Sequence, residues 1–376
     1  MKKLMKIMLF VLISFSGFLK SQAAKDTAYE NIQPYLYENP DKAIKIGKIR
    51  IESETNIDEK IKYHLYLSKA YTAKRNMDES YKTLLKAQKL LETSTNLESK
   101  INVLTLIAIQ YQQMELYSKS FEILDEVDQL CENLDPKFDK QKYSWLGKSF
   151  AVKGIIYKSQ DNWDIALEKF AVAIRNFEKT EQSVPTINNI SIVYYNIGYC
   201  YINQNKFSLA ESSFQKSISY AQKSDAQSLQ AYAMKGLAEN FAFQDQPQKA
   251  IDVLETAAKK SEKIGDLVLD EGIYKLLSDN YLVIGNFDKY MINNELYKKV
   301  HFEREQSELE SINSLIDNIG ENTEKEISHS DYKFGVLEVI MILISLALSG
   351  FLLFKILKIN KNNKIKKDKI HDLISQ

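Results

Sequence analysis

Six times between Ser68 and Phe287 the chain repeats one arrangement: a small residue, an aromatic three places on, and then a second apolar stretch that is usually built around another small residue. No other feature constrains the fold as strongly. Each such unit has an apolar face too large to bury alone, so the units must stack on one another. The clearest copy runs through Tyr194, Ile197, Gly198, Tyr201, Phe207, Ala210, Phe214 and Ser217. The copy before it has Phe150, Gly154, Tyr157, Trp163, Ala166, Phe170 and Ala173, and the copy after it Met234, Leu237, Ala238, Phe241, Ala250, Leu254 and Ala257.

Looser copies extend the array in both directions, through Leu104, Ile107, Ala108, Tyr111, Tyr117 and Leu124, through Leu67, Ser68, Tyr71, Met77, Leu84 and Ala87, and through Tyr274, Leu277, Ser278, Tyr281 and Phe287. In these, Ser120, Ser80 and Tyr290 stand where the second small residue is Ala elsewhere. An N-terminal piece, ENPDKAIKIG with Ala43, reads as the second half of a further unit. The first small residues are 40 to 46 positions apart. With only 12 Gly and 5 Pro in 376 residues, and little β-branched alternation, the units read as helices joined by short turns.

The pattern resembles the tetratricopeptide repeat (TPR), which places an aromatic at position 4, a large apolar residue at 7, Gly or Ala at 8, Tyr at 11, an aromatic at 17, Ala at 20, an aromatic at 24 and a small residue at 27. The spacing exceeds the usual 34 residues of that family, so helices or turns here are longer. The resemblance covers roughly residues 27–300. It implies an all-α solenoid of helical hairpins with a concave groove lined by positions 2, 5, 9, 12 and 13 of the first helix. Those positions here are Lys62, Lys69, Gln112, Gln113, Lys148, Lys158, Tyr195, Tyr199, Asn203, Tyr232, Lys235, Glu239, Phe243, Lys275 and Asp279. The principal site set is Tyr195, Tyr199, Asn203, Tyr232, Lys235, Glu239, Phe243 and Lys275, where aromatics interleaved with polar groups suit a protein or peptide partner. Lys235/Glu239 and Lys275/Asp279 also read as i,i+4 pairs of a solvated face.

The two ends carry other signals. Residues 1–23 read as a signal peptide: Lys2, Lys3 and Lys6 precede an apolar run and the small residues before a cleavage point after Ala23. Residues 334–357 read as a transmembrane helix, apolar except for Glu338 until Lys355, followed by a basic tail at 358–376. The lysines after that span and the acids before it predict a single-pass inner-membrane protein with periplasmic repeats and a cytoplasmic C-terminus. The resulting domain plan is a repeat solenoid at 24–300, a juxtamembrane helix and linker at 301–333, and the span and tail. Within 301–333, Leu309, Ile312, Ile316 and Ile319 form a stripe that either starts a coiled coil, compatible with a homodimer, or caps the open solenoid.

Lys plus Arg and Asp plus Glu are balanced at 50 each, so no global positive field collects nucleic acid. Cys131 and Cys200 lack metal-ligand spacing and read as small buried thiols, and no cofactor or metal site is expected. No phosphate loop, nucleophile elbow or paired-carboxylate motif is present, which argues against an enzyme. The plan as a whole resembles the membrane-anchored TPR sensor regulators of Bacteroidetes-type bacteria, without the C-terminal output domain these usually carry. That resemblance implies a non-enzymatic, membrane-anchored periplasmic module that senses or scaffolds partner proteins. Two alternatives stand beside it: a truncated transcriptional regulator that lost its DNA-binding domain, and a structural envelope assembly factor.

Overall fold

The computed structural model describes residues 31–309, apart from 136, 137 and 263, together with Lys355. Within them the chain is a run of α-helices. A short α1 (Tyr35–Glu38) leads into α2 (Pro40–Ser53). Then come the hairpins α3 (Ile57–Ala73) with α4 (Met77–Leu91), and α5 (Leu97–Gln113) with α6 (Tyr117–Glu132). They are followed by α7 (Asp139–Ser159) with α8 (Trp163–Glu178), α9 (Val184–Asn203) with α10 (Phe207–Lys223), and α11 (Gln227–Ala242) with α12 (Pro247–Ser261). Last, α13 (Leu267–Val283) pairs with a helical run at 287–309. The longer repeat intervals are absorbed by α7, of 21 residues, and α9, of 20.

Local signals in the sequence set the ends of these helices. Asn56, Asn96, Ser183 and Asp266 cap the first helices of four hairpins, each side-chain oxygen accepting from a backbone N–H of the first turn. Every hairpin turns in the same way. Arg75, Glu115, Asp161, Asn205, Asp245 and Gly285, each seven residues after the first small position, all have φ between 53° and 76°. The next residue's N–H then donates to the carbonyl of the aromatic five residues earlier, at 2.8–3.0 Å, in all six turns: Tyr71, Tyr111, Tyr157, Tyr201, Phe241 and Tyr281 are the acceptors. This is the left-handed helix stop that satisfies otherwise orphaned carbonyls. It also fixes the register of all six units as the side-chain pattern implies.

Each first helix touches the first helix of the next hairpin, whereas successive second helices do not touch. The first helices therefore line the inside of the curve and the second helices its outside. The apolar core runs between them, and its largest fully buried side chains include Phe170, Phe177 and Phe214. Small residues make room for these rings. A Cβ built on Gly154 would lie 2.5 Å from the ring of Phe170, and one on Gly147 would lie 2.6 Å from Phe177. Phe214 is held from two sides, since a Cβ on Gly198 would come to 2.7 Å and one on Gly236 to 2.4 Å. Gly198 lies in the same hairpin as Phe214 and Gly236 in the following one.

Two of the looser copies solve the same problem with hydroxyls. Ser120 is fully buried in place of Ala and its Oγ donates to the Ala108 carbonyl at 2.7 Å. Ser80 donates to the Ser68 carbonyl at 3.0 Å, and Gln110 Nε2 donates to Ser80 Oγ at 2.8 Å. A buried hydroxyl is tolerated where it closes such a bond. The N-terminal piece is a second helix as expected, with Pro40 in the first turn of α2 and Ala43 fully buried. Cys131 and Cys200 are buried free thiols, and burial pushes both up to about 12.

One expectation is corrected. Among the described residues no helix is long and apolar enough to cross a membrane, so the placement as a single-pass inner-membrane protein with periplasmic repeats and a cytoplasmic C-terminus, and the lipid contact it implied, are withdrawn. The physical reason is that a solenoid helix buries only part of its circumference. The 20-residue α9, for example, places Asn188, Asn189 and Asn196 among its apolar positions. The expected signal peptide at 1–23, the stripe beyond Leu309, the linker to 333, the span at 334–357 and the tail at 358–376 lie outside the described residues, Lys355 excepted. Contacts divide the chain after Ser311, and every described repeat belongs to the first unit. No break marks residue 300: the helix continues to 309, and His301 and Arg304 both bond Glu271 of α13.

Gly198→Ala and Gly236→Ala are expected to lower stability by about 1–3 kcal/mol through overpacking against Phe214, although Ala is the better helix former. Urea unfolding followed by circular dichroism checks this, with exposed Asn203→Ala as the reference expected to stay within ~0.5 kcal/mol. Glycine variants as stable as that reference would remove the proposed role of the ring seat.

Candidate functional site

The inner face is built from α3, α5, α7, α9, α11 and α13, and its densest cluster sits where α9 and α11 adjoin. Phe214 presses against both helices from behind, and its ring meets Tyr195 at 6.2 Å and Tyr199 at 5.3 Å between centroids, both edge to face. Tyr195 in turn contacts Tyr199 at 5.0 Å and Tyr232 at 6.1 Å. Rings in this geometry hold one another at fixed angles. The inner-face tyrosines therefore have a rigid apolar backing and direct their hydroxyls away from it.

Those hydroxyls enter a polar layer. Tyr199 donates to Glu239 Oε2 at 2.9 Å, and Lys235 Nζ lies 3.3 Å from the Tyr199 oxygen and 3.4 Å from the Glu239 carboxylate. Lys235 reaches this position because its stem crosses Gly272 of α13, where a Cβ would lie 2.5 Å from Lys235 Cε. Tyr232 donates to Asp266 Oδ2 at 2.6 Å, while the other oxygen of Asp266 caps α13. Burial, chiefly, pushes the Tyr195 phenol up to about 12 and raises Tyr199 and Tyr232 as well. All three are neutral donors over the physiological range.

The Tyr232 oxygen also accepts from Arg75 Nη2 at 3.1 Å. Arg75 is the left-handed residue of the first complete hairpin, so the turn of α3–α4 meets α11 across 157 residues of sequence. The short α1 touches α11 as well. The solenoid thus curls until its first and fifth hairpins meet, and the inner face is enclosed by that contact.

More cations stand along the same wall. Lys158 donates to Asn196 Oδ1 at 2.7 Å and lies 5.8 Å from the Tyr199 ring centre. Lys69 lies 5.9 Å from the Tyr66 ring centre. Burial, aided by the charge of Lys148, lowers Lys69 to about 8, and burial lowers Lys148 and Lys158 too.

Of the eight principal sequence-predicted residues, five come together: Tyr195, Tyr199, Tyr232, Lys235 and Glu239. The other three stand apart. Asn203 is exposed and donates to its own helix at the Tyr199 carbonyl. Phe243 is 58% exposed at the end of α11 and stacks on Phe207 with centroids 6.5 Å apart. Lys275 pairs with Asp279 at 2.9 Å, both 56% exposed, as a solvated i,i+4 pair should be. Lys235 and Glu239, at 20% and 28%, are not such a pair. Sequence reasoning missed Arg75 and Asp266: the capping position of Asp266 is readable, but nothing local joins Arg75 to a residue four hairpins on.

No family model matches the sequence, and no curated protein matches it. Solved structures do. A Rap protein complexed with Competence and Sporulation Factor aligns at 13% identity over 79% of this chain and 93% of that one, with a TM-score of 0.51. BtubC from P. vanneervenii is 15% identical over 67% of this chain and 93% of its own, with a TM-score of 0.48. A Podosopora anserina kinesin light chain with nearly identical TPR-like repeats is 13% identical over 56% and 99%, with a TM-score of 0.41. At such identities the likeness is one of fold, which is TPR-like. The narrower kinship with membrane-anchored sensor regulators gains nothing from these matches.

Two outcomes follow. Arg75→Ala should open the curl, seen as a larger radius of gyration by small-angle scattering with helical content unchanged, and Tyr232→Phe should act in the same direction; an unchanged radius in both would show that the contact does not hold the curl. The second concerns pH. A lysine lowered to about 8 in the fold but ordinary when unfolded is charged in the unfolded chain first as pH falls from 10.5, so its penalty is removed as pH rises from 8 toward 10.5. The raised tyrosines act oppositely, losing stability above about 10. The raised thiols of Cys131 and Cys200 also lose stability in this range, so the parent is compared with Lys69→Met: between pH 7.5 and 9.5 its melting temperature should gain on that of the variant, and equal slopes would contradict the placement of Lys69.

Proposed function

We propose that the protein is a non-enzymatic binding module whose enclosed inner face takes up an extended peptide segment of a partner protein. The observation that carries this reading is the layered cluster at α9 and α11: rigid tyrosines backed by Phe214, carrying neutral hydroxyls and a lysine–glutamate pair at an accessible wall. Apolar rings supply contact area at small entropic cost, and fixed donors and acceptors pair with a peptide backbone. The fold admits such a use, since the Rap protein of the same fold is described as complexed with a Competence and Sporulation Factor.

The site set of this reading is Tyr195, Tyr199, Tyr232, Lys235 and Glu239, with Asn203, Phe243 and Lys275 as outlying contacts along the groove. Peptides selected from a random displayed library against the full chain test it. Their binding should weaken about tenfold or more in Tyr199→Phe and Glu239→Gln, each of which keeps its shape and loses one hydrogen-bonding function. Selected peptides that bind these variants as tightly as the parent protein would remove the inner face from the reading.

A further inference from the structure

Exposed apolar side chains are gathered at one end of the array: of sixteen large ones among the described residues, nine fall between Leu282 and Leu309. Such a concentration marks a surface that something covers. Within the array each second helix is covered by the first helix of the next hairpin, as α8 is by α9 and α12 by α13. The last helix, 287–309, has no following hairpin among the described residues. It is held on one side: Asn293 and Val300 are buried, and His301 and Arg304 bond Glu271 of α13. Its opposite side presents Met291, Glu295, Lys298, Phe302, Glu305 and Leu309, whose steps of four, three, four, three and four residues are those of a two-helix coiled-coil seam. Met291, Phe302 and Leu309 are 55%, 62% and 53% exposed, and the three charged side chains between them are exposed too.

We propose that this seam is an interface between two copies of the chain, whose last helices pack antiparallel about a two-fold axis at the level of Leu296 and Tyr297. The order of charges along the seam selects both the occupant and its direction. In this register Met291 meets Phe302 of the second copy and Glu295 meets Lys298, and each contact is made twice, as an isologous pair requires. Two opposite-charge layers at the centre are thus flanked by two apolar ones. The charged layers add little affinity and fix the direction. A parallel pair would set Glu295, Lys298 and Glu305 each against its own copy, and the neighbouring antiparallel registers set Glu295 or Phe302 against Glu305. The chosen register leaves one unfavourable layer, Asp288 against Glu305, near the rim. At about 1.5 Å per residue the helix offers a seam of about 34 Å, one helix wide, which belongs to the small interfaces of dimers that form at micromolar concentration. The surface lies outside the inner face, and the inference does not rest on the peptide-binding reading.

Sedimentation velocity on the full-length chain should show a monomer–dimer equilibrium in the micromolar range. Phe302→Glu should weaken the dimer at least about tenfold, whereas Val184→Ser, at a comparably exposed apolar residue of α9, should leave it unchanged. Glu305→Lys should tighten it about fivefold, because the rim layer with Asp288 turns from like to opposite charge; in a parallel pair the same change only exchanges one like-charged layer for another. Melting curves establish that these surface variants are folded. Direction is read from disulfides, since Cys131 and Cys200 are buried and only introduced thiols can link. Met291→Cys mixed with Phe302→Cys should give the mixed crosslink on oxidation, and Met291→Cys alone should give none, its two copies lying about 16 Å apart along the helix axis. A chain that stays monomeric at about 100 μM, a dimer indifferent to Phe302→Glu or weakened by Glu305→Lys, or crosslinks of each cysteine variant with itself overturns the proposal.

Discussion

The architecture depends on how a bulky side chain of each second helix is seated in the gap left by small residues on the first helices around it. Phe214 shows the constraint most directly, because its ring fills space vacated by Gly198 in its own hairpin and by Gly236 in the next. One side chain thereby sets both the pairing within a hairpin and the pitch between hairpins. Interiors are packed to crystal density, so such a seat tolerates little variation. The same ring is the backing of Tyr195 and Tyr199, which means that the geometry of the inner wall is inherited from the packing of the outer layer.

Much of this was legible in the sequence. The small-to-aromatic interval located all six hairpins, and the left-handed residue of each turn falls at a constant offset from the first small position, from Arg75 to Gly285. The reading was good here because the information is local: a cap, a turn and a face of one helix are each written within a few residues. The serines at 80 and 120 looked like departures from the pattern and proved to be equivalent solutions, since their hydroxyls bond across the gap that alanine leaves empty.

The site was legible in part. Positions on a first helix predicted which side chains face inward, and Tyr195, Tyr199, Tyr232, Lys235 and Glu239 do meet. Phase alone could not show that Phe243 lies beyond the last turn of α11 or that Lys275 projects into solvent. Nor could it separate two lysine–acid pairs with identical spacing, of which only one is drawn inward by a glycine on the neighbouring helix.

The contact of Arg75 with Tyr232 changes the kind of object the array is. A linear stack of repeats behaves as a chain of nearest neighbours, in which either end can fray without informing the other. Joining residues 157 positions apart turns that chain into a loop. Because Tyr232 is bonded to Asp266, and Asp266 holds the first turn of α13, the loop passes through a helix start near the far end of the array. Loosening of the first complete hairpin then withdraws a partner from the fifth, and through Tyr232 and Asp266 bears on the cap of the sixth.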